Sequence, residues 1–170
     1  MSKVYEYRLT AFNDENKGRF GRCDACKAVV DAMRQFGDDR DIVFRGCAAL
    51  ANLTSNNNRS NIQQFENCRG FEAVVEVMKK FSEDYDIIVQ CCTIAVNLST
   101  GNNKIMAHMG ECGLCETVVA AMQQFVGDFD VAEKGCIVVW NLAANNNSIR
   151  NILGECGACE AVVKAMKNRY

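Results

Sequence analysis

One phrase is written three times in this chain, and its spacing restricts the fold more than any other feature. Cys47-Ala-Ala-Leu-Ala-Asn52-Leu-Thr returns as Cys92-Thr-Ile-Ala-Val-Asn97-Leu-Ser and again as Cys136-Ile-Val-Val-Trp140-Asn141-Leu-Ala. The asparagines step by 45 and 44 residues, and Met33, Met78, Met122 and Met166 step by 45, 44 and 44. A fixed period in the forties, with helical patterning inside it, specifies an all-α solenoid of stacked repeats. Function in such a molecule belongs to a surface spanning several units.

The interior of the period reads as three helices. Each unit opens on an asparagine-rich segment, Asn56-Asn57-Asn58, Asn102-Asn103 or Asn145-Asn146-Asn147. Asparagine tolerates the left-handed conformation that ends one helix and caps the next. A short amphipathic first helix follows, carrying Ile62 and Phe65, then Ile105 and Met109, then Ile149 and Leu153. The second helix runs from Ala28 to Phe36, with counterparts from Ala73 to Phe81 and Thr117 to Phe125, and its i, i+3, i+4, i+7 apolar spacing describes one buried face. A turn comes next, with Asp41, Asp86 and Asp130 expected as N-caps of the third helix, and Asp130 with Glu133 forming a capping-box pattern. The third helix contains the repeated phrase, whose small residues permit close stacking.

Composition narrows the function classes. The 170 residues are 49% hydrophobic and 24% charged, contain no proline, and carry a net charge of −2. That is a folded chain without its strongest helix breaker, and without the global positive field that holds nucleic acid. No apolar run approaches the ~20 residues that cross a bilayer, and the first residues lack the apolar core of a signal peptide. Eleven cysteines in a chain with ample apolar residues at helical spacing fit a reducing cytoplasm or nucleus better than a disulfide scaffold. The sequons at Asn52, Asn58, Asn97 and Asn146 are then by-products of an asparagine-rich repeat.

Gly157-Ala158-Cys159-Glu160-Ala161-Val162-Val163 before a second helix, and Trp140-Asn141-Leu142-Ala143 within a third, give the chain a resemblance to the armadillo repeat. It covers about residues 11 to 170, as units of roughly 11–55, 56–100 and 101–144 and a partial fourth at 145–170 that stops after its second helix. HEAT repeats, with two helices and no comparable asparagine ladder, are the second choice. The resemblance implies a right-handed α-solenoid, three helices per unit of about 44 residues, that binds other proteins and is not an enzyme. Residues 1–10 stand where a preceding third helix would end, but Tyr7 replaces the asparagine, so they read as a cap or remnant. The unmatched ends suggest either homo-oligomers built by end-to-end stacking or a piece of a longer array.

In armadillo proteins the repeated asparagine lines the concave groove and grips ligand main chain. Asn52, Asn97 and Asn141 inherit that role by resemblance; the alternative is that each only ties its own helix to a loop. Helical geometry puts Ala51, Val96 and Trp140, then Ala48, Thr93 and Ile137, then Arg45, Gln90 and Lys134 on the same face as the asparagines. Armadillo import receptors place tryptophan four residues before the asparagine, with acidic groups nearby, to hold basic signals. Here Trp140 is adjacent to its asparagine and the outer positions are basic or neutral, so the expected partner is a neutral or acidic extended segment. Trp140 reads as a contact residue, with core packing as its alternative.

Other motifs invite chemistry and are set aside. Cys23/Cys26, Cys112/Cys115 and Cys156/Cys159 form Cys-x-x-Cys pairs, but they recur at one place in each unit, and translation between units keeps four thiolates from converging on zinc. A zinc or redox protein is the weakest reading. The Asp39/Asp41, Asp84/Asp86 and Asp128/Asp130 series lacks the rest of a calcium loop. His108, the single histidine, has no fixed acidic or nucleophilic companion and reads as a half-buried structural residue. No cofactor is expected.

Overall fold

A computed structural model describes residues 14–100, 103–144 and 146–167. The expected cap at residues 1–10, including Tyr7, lies outside them. The described residues form eleven α-helices, grouped as the period requires. The first triple is α1 (Asp14–Arg22), α2 (Ala25–Gln35) and α3 (Arg40–Thr54); the second is α4 (Arg59–Asn67), α5 (Gly70–Lys80) and α6 (Tyr85–Ser99). The third is α7 (Asn103–Glu111), α8 (Leu114–Gln124) and α9 (Phe129–Ala143), followed by the pair α10 (Asn147–Glu155) and α11 (Ala158–Lys167). Together they build a right-handed α-solenoid.

The punctuation explains why the helices begin and end there. Asn58 and Asn146 cap α4 and α10 by accepting from the backbone N–H of Asn61 and Ile149, while Asn56 and Asn57 adopt left-handed φ of 57° and 52° between α3 and α4. Every junction between a first and a second helix passes through one left-handed residue: Asp24, Arg69, Gly113 or Gly157, with φ of 53°, 59°, 86° and 85°. The third-helix caps differ from expectation. Asp39, Asp84 and Asp128 hold the N-cap position, accepting from Asp41 N and Ile42 N, from Ile87 N, and from Val131 N. The preceding turn closes within three residues, through Asp39, Asp84 and Asp128 N–H bonds to the carbonyls of Phe36, Phe81 and Phe125, so the first aspartate of each pair has the extended backbone a cap needs. Asp41, Asp86 and Asp130 sit in the first turn, their charge beside the positive end of the helix dipole. The capping box of Asp130 with Glu133 does not form.

The core runs the length of the stack, with α3 against α6, α6 against α9 and the second helices packed outside them. Close approach depends on small residues: Cys47 and Cys91, both fully buried, bring their sulfurs within 3.7 Å. Gly46 and Gly135 leave room for Met33 and Met122, whose Cγ and Sδ occupy the space a Cβ would take. The methionine ladder is therefore a record of cover: Met33, Met78 and Met122 are 3%, 2% and 5% exposed, whereas Met166, which no third helix covers among the described residues, is 63% exposed.

Candidate functional site

Because α3, α6 and α9 lie side by side, the side chains they leave uncovered form one continuous face. Arg45, Ala48 and Asn52 on α3, Gln90, Thr93, Val96 and Asn97 on α6, and Lys134 and Asn141 on α9 are half-buried there; Ile137 and Trp140 are exposed. The structure thus brings together all eight candidate positions, Asn52, Asn97, Asn141, Trp140, Thr93, Arg45, Gln90 and Lys134. Ala51 departs from the helical-wheel expectation and is buried, because the next unit closes over it. Trp140, in register with Ala51 and Val96, is 79% exposed and fills no core gap.

Each asparagine has a direction. Asn97 Nδ2 donates to the Ala51 carbonyl at 2.8 Å and to Thr54 Oγ1 at 3.3 Å; Asn141 Nδ2 donates to Ser99 Oγ at 2.9 Å. The orientation is forced: the hydroxyls of Thr54 and Ser99 already donate to Leu50 O and Val96 O, so they receive only from the amide nitrogen. The ladder therefore ties each unit back to the one before it. The Oδ1 atoms of Asn97 and Asn141 accept no hydrogen bond among the described residues. Thr93 spends its hydroxyl proton on Val89 O at 2.8 Å and likewise keeps acceptor lone pairs. The positions one period before Asn52 lie outside the described residues.

Electrostatics on the face run in two rows. Arg45 and Lys134 lie 4.0 Å from Asp41 and Asp130 one turn earlier. At the start of the third helices a second row fastens the units: Arg40 reaches Asp84 at 2.5 Å and Asp86 at 2.8 Å, and Tyr85 Oη donates to Asp130 at 3.3 Å. Burial pushes the Asp84 carboxyl up, but the Arg40 guanidinium and the Ile87 N–H outweigh it and hold Asp84 below the usual carboxylate range. Sequence reasoning missed this clasp, although Arg40, Tyr85 and Phe129 keep the same 45 and 44 step. It also missed the polar residue two places after the asparagine, Thr54 or Ser99, which receives the tie.

The cysteines follow the repeat. Cys68, Cys112 and Cys156 each donate to the carbonyl three residues back, at Phe65, Met109 and Leu153, closing the end of a first helix. Burial pushes the Cys26 and Cys115 thiols up to about 12, far from the thiolate that metal binding and exchange require. Among the described residues no three His, Cys, Asp or Glu side chains converge to hold a metal. His108 packs its ring on Phe71 at 4.7 Å, with Nδ1 and Nε2 each 3.9 Å from a glutamate oxygen, of Glu66 and Glu72. No described helix is long and apolar enough to cross a membrane.

A family profile described as LRRK2 ARM repeat matches residues 21–170. Among solved structures, the chain is similar to a designed armadillo repeat protein, YIII(Dq.V1)4CPAF, in complex with peptide (KR)4, at TM-score 0.81 and 20% identity over 96% of this chain and 69% of that one. It is similar also to an engineered protein at TM-score 0.79 and 20% identity, over 96% of this chain and 71% of that one. No curated protein matches the chain.

Proposed function

Given that the chain belongs to the armadillo-repeat family, whose scaffolds are generally non-enzymatic, we propose that it is a protein-binding module whose ligand is an extended peptide segment lying along the concave face of α3, α6 and α9. The single observation that carries this reading is the row of acceptors left facing outward: Asn97 Oδ1, Asn141 Oδ1 and Thr93 Oγ1, fixed in place because their donors are bonded within the protein. An acceptor row at repeat spacing matches the backbone N–H groups of an extended chain, since one unit step of ~10 Å corresponds to about three extended residues. Trp140 and Ile137 add an apolar platform at one end.

Charge sets the preference. The designed relative carries a basic peptide; the present face offers Arg45 and Lys134 in the corresponding turn of α3 and α9, which favours a neutral or acidic ligand. The eleven free cysteines support a cytoplasmic or nuclear setting in which thiols stay reduced.

Fluorescence anisotropy with short extended peptides of opposite charge tests the proposal. Neutral and acidic peptides are expected to bind, and the Arg45→Glu/Lys134→Glu double variant to weaken the acidic ones roughly tenfold with an unchanged thermal midpoint. Equal affinity for a Lys/Arg peptide and an acidic one, or a double variant that binds like the parent, overturns it.

A further inference from the structure

A cavity of about 480 Å³ opens between α4 and α7, the first helices of the second and third units; small-molecule sites typically span ~300–1,000 Å³. Ile62 and Ile105, 2% and 8% exposed, border it, and the rest of its lining is polar. Stacking does not ask for that lining. At the preceding joint the sequence puts Asp14, Gly18, Gly21 and Ser60 in place of Arg59, Gln63, Glu66 and Lys104, and at the following joint Asn103, Ala107, Gly110 and Ser148. Two cations are thus gathered at one joint of a stack whose neighbouring joints close without them.

The bonds already made in the cavity fix what it offers. Lys104 Nζ and Glu66 Oε1 are 3.0 Å apart, while the exposed Arg59 guanidinium makes no hydrogen bond or ion pair among the described residues. Gln63 Nε2 donates to Glu66 Oε2 at 3.0 Å and Asn67 Oδ1 at 3.2 Å, which leaves Gln63 Oε1 as an acceptor. Thr100 Oγ1 donates to the Asn97 carbonyl at 2.9 Å and keeps only its lone pairs. Cations beside acceptors with no proton to give select a ligand that is anionic at one end and carries hydroxyl donors at the other.

We propose that this cavity binds a small phosphorylated polyol, its phosphate held by Arg59 and Lys104 across the joint and its hydroxyls donating to Gln63 Oε1 and Thr100 Oγ1. Arg59 meets the phosphate with parallel N–H bonds, and Lys104 adds a point charge as it turns from Glu66. The site stands on first helices, apart from the asparagine groove, and its phosphate ties the second unit to the third. His108 reports occupancy. It is the only histidine, and its Nδ1 stands 3.9 Å from Glu66 Oε1, the oxygen that pairs with Lys104. Drawing Lys104 toward a phosphate therefore changes the field at the His108 ring.

The probe is glucose 6-phosphate, with glucose and inorganic phosphate as its separated halves, followed by calorimetry and by the His108 ring signals in NMR spectra. The ester should bind at one site, at least about tenfold more tightly than inorganic phosphate, and move the His108 signals. Arg59→Gln should weaken it about tenfold, and Gln63→Leu should bring its affinity down to that of inorganic phosphate. Both side chains are exposed, so the variants keep the fold. Vesicles bearing phosphatidylinositol 4-phosphate form the second arm: if they displace the ester from the parent and fail to bind Arg59→Gln, a lipid headgroup supplies the same chemistry. An ester that binds no better than inorganic phosphate at about 10 mM overturns the proposal. So does an unmoved His108, or an Arg59→Gln variant that binds like the parent.

Discussion

At the scale of single residues, Asn97 divides its amide between two tasks: the nitrogen holds the stack together and the oxygen faces outward. Replacing it with alanine removes the donor that the Ala51 carbonyl and Thr54 hydroxyl receive from the next unit and should cost about 1–2 kcal/mol. Urea unfolding checks this through a lower midpoint at unchanged slope; helix content at rest stays the same. That the asparagines recur at one place in each third helix was legible from their period. The direction of their bonds was not, because the acceptors stand 42 to 46 residues earlier and one of them, the Ala51 carbonyl, is a main-chain atom with no signature of its own. Arg40 supplies a second residue-scale prediction. Asp84 titrates below its unfolded value while Arg40 holds it, so the clasp stabilises above the unfolded carboxylate pKa and is lost as pH falls through the lower folded one. An Arg40→Met variant should therefore melt below the parent at pH 7, and the gap in melting temperature should close as the buffer is taken below about pH 4. A gap that persists in acid would remove Asp84 from the account.

At the scale of elements, the junction between first and second helices is made by backbone conformation. Gly113 sits at φ 86°, and an added Cβ would meet nothing closer than Glu116 Oε2 at 4.0 Å, so Gly113→Ala should cost about 1–2 kcal/mol by conformation alone. Chemical denaturation reads the loss, and an Ala variant as stable as the parent would show that the junction relaxes. Met122→Ala removes a buried wedge between α8 and Gly135 of α9 and should cost about 2–5 kcal/mol; the same change at exposed Met166 should cost almost nothing. The two methionines share residue type and period in the sequence, and their burial is set by the neighbour each helix has. The helices themselves were legible, because apolar spacing and asparagine caps agreed. The third-helix caps were displaced by two residues for a local reason: an Asp-x-Asp pair offers two equally good caps, and only the length of the preceding turn chooses between them.

At the scale of the whole molecule, the solenoid spreads its thiols along a gradient of access. Cys23 and Cys159 are exposed, while Cys26, Cys47, Cys91, Cys92 and Cys115 are buried. A thiol reagent should label the first pair within seconds and the buried set only on unfolding, as read by mass spectrometry of timed samples. Rapid labelling of Cys91 in the native state would contradict the packing of α3 on α6. The period told where the stack lies. It did not tell how one unit is clasped to the next, which emerges only when Arg40 and Tyr85 are seen reaching forward to aspartates that every unit carries. Since the second unit holds both a reaching side chain, Tyr85, and the acids that receive Arg40, a copy of that unit spliced between α6 and α7 would find its sockets ready on either side, and the array could lengthen by duplication without inventing a new joint.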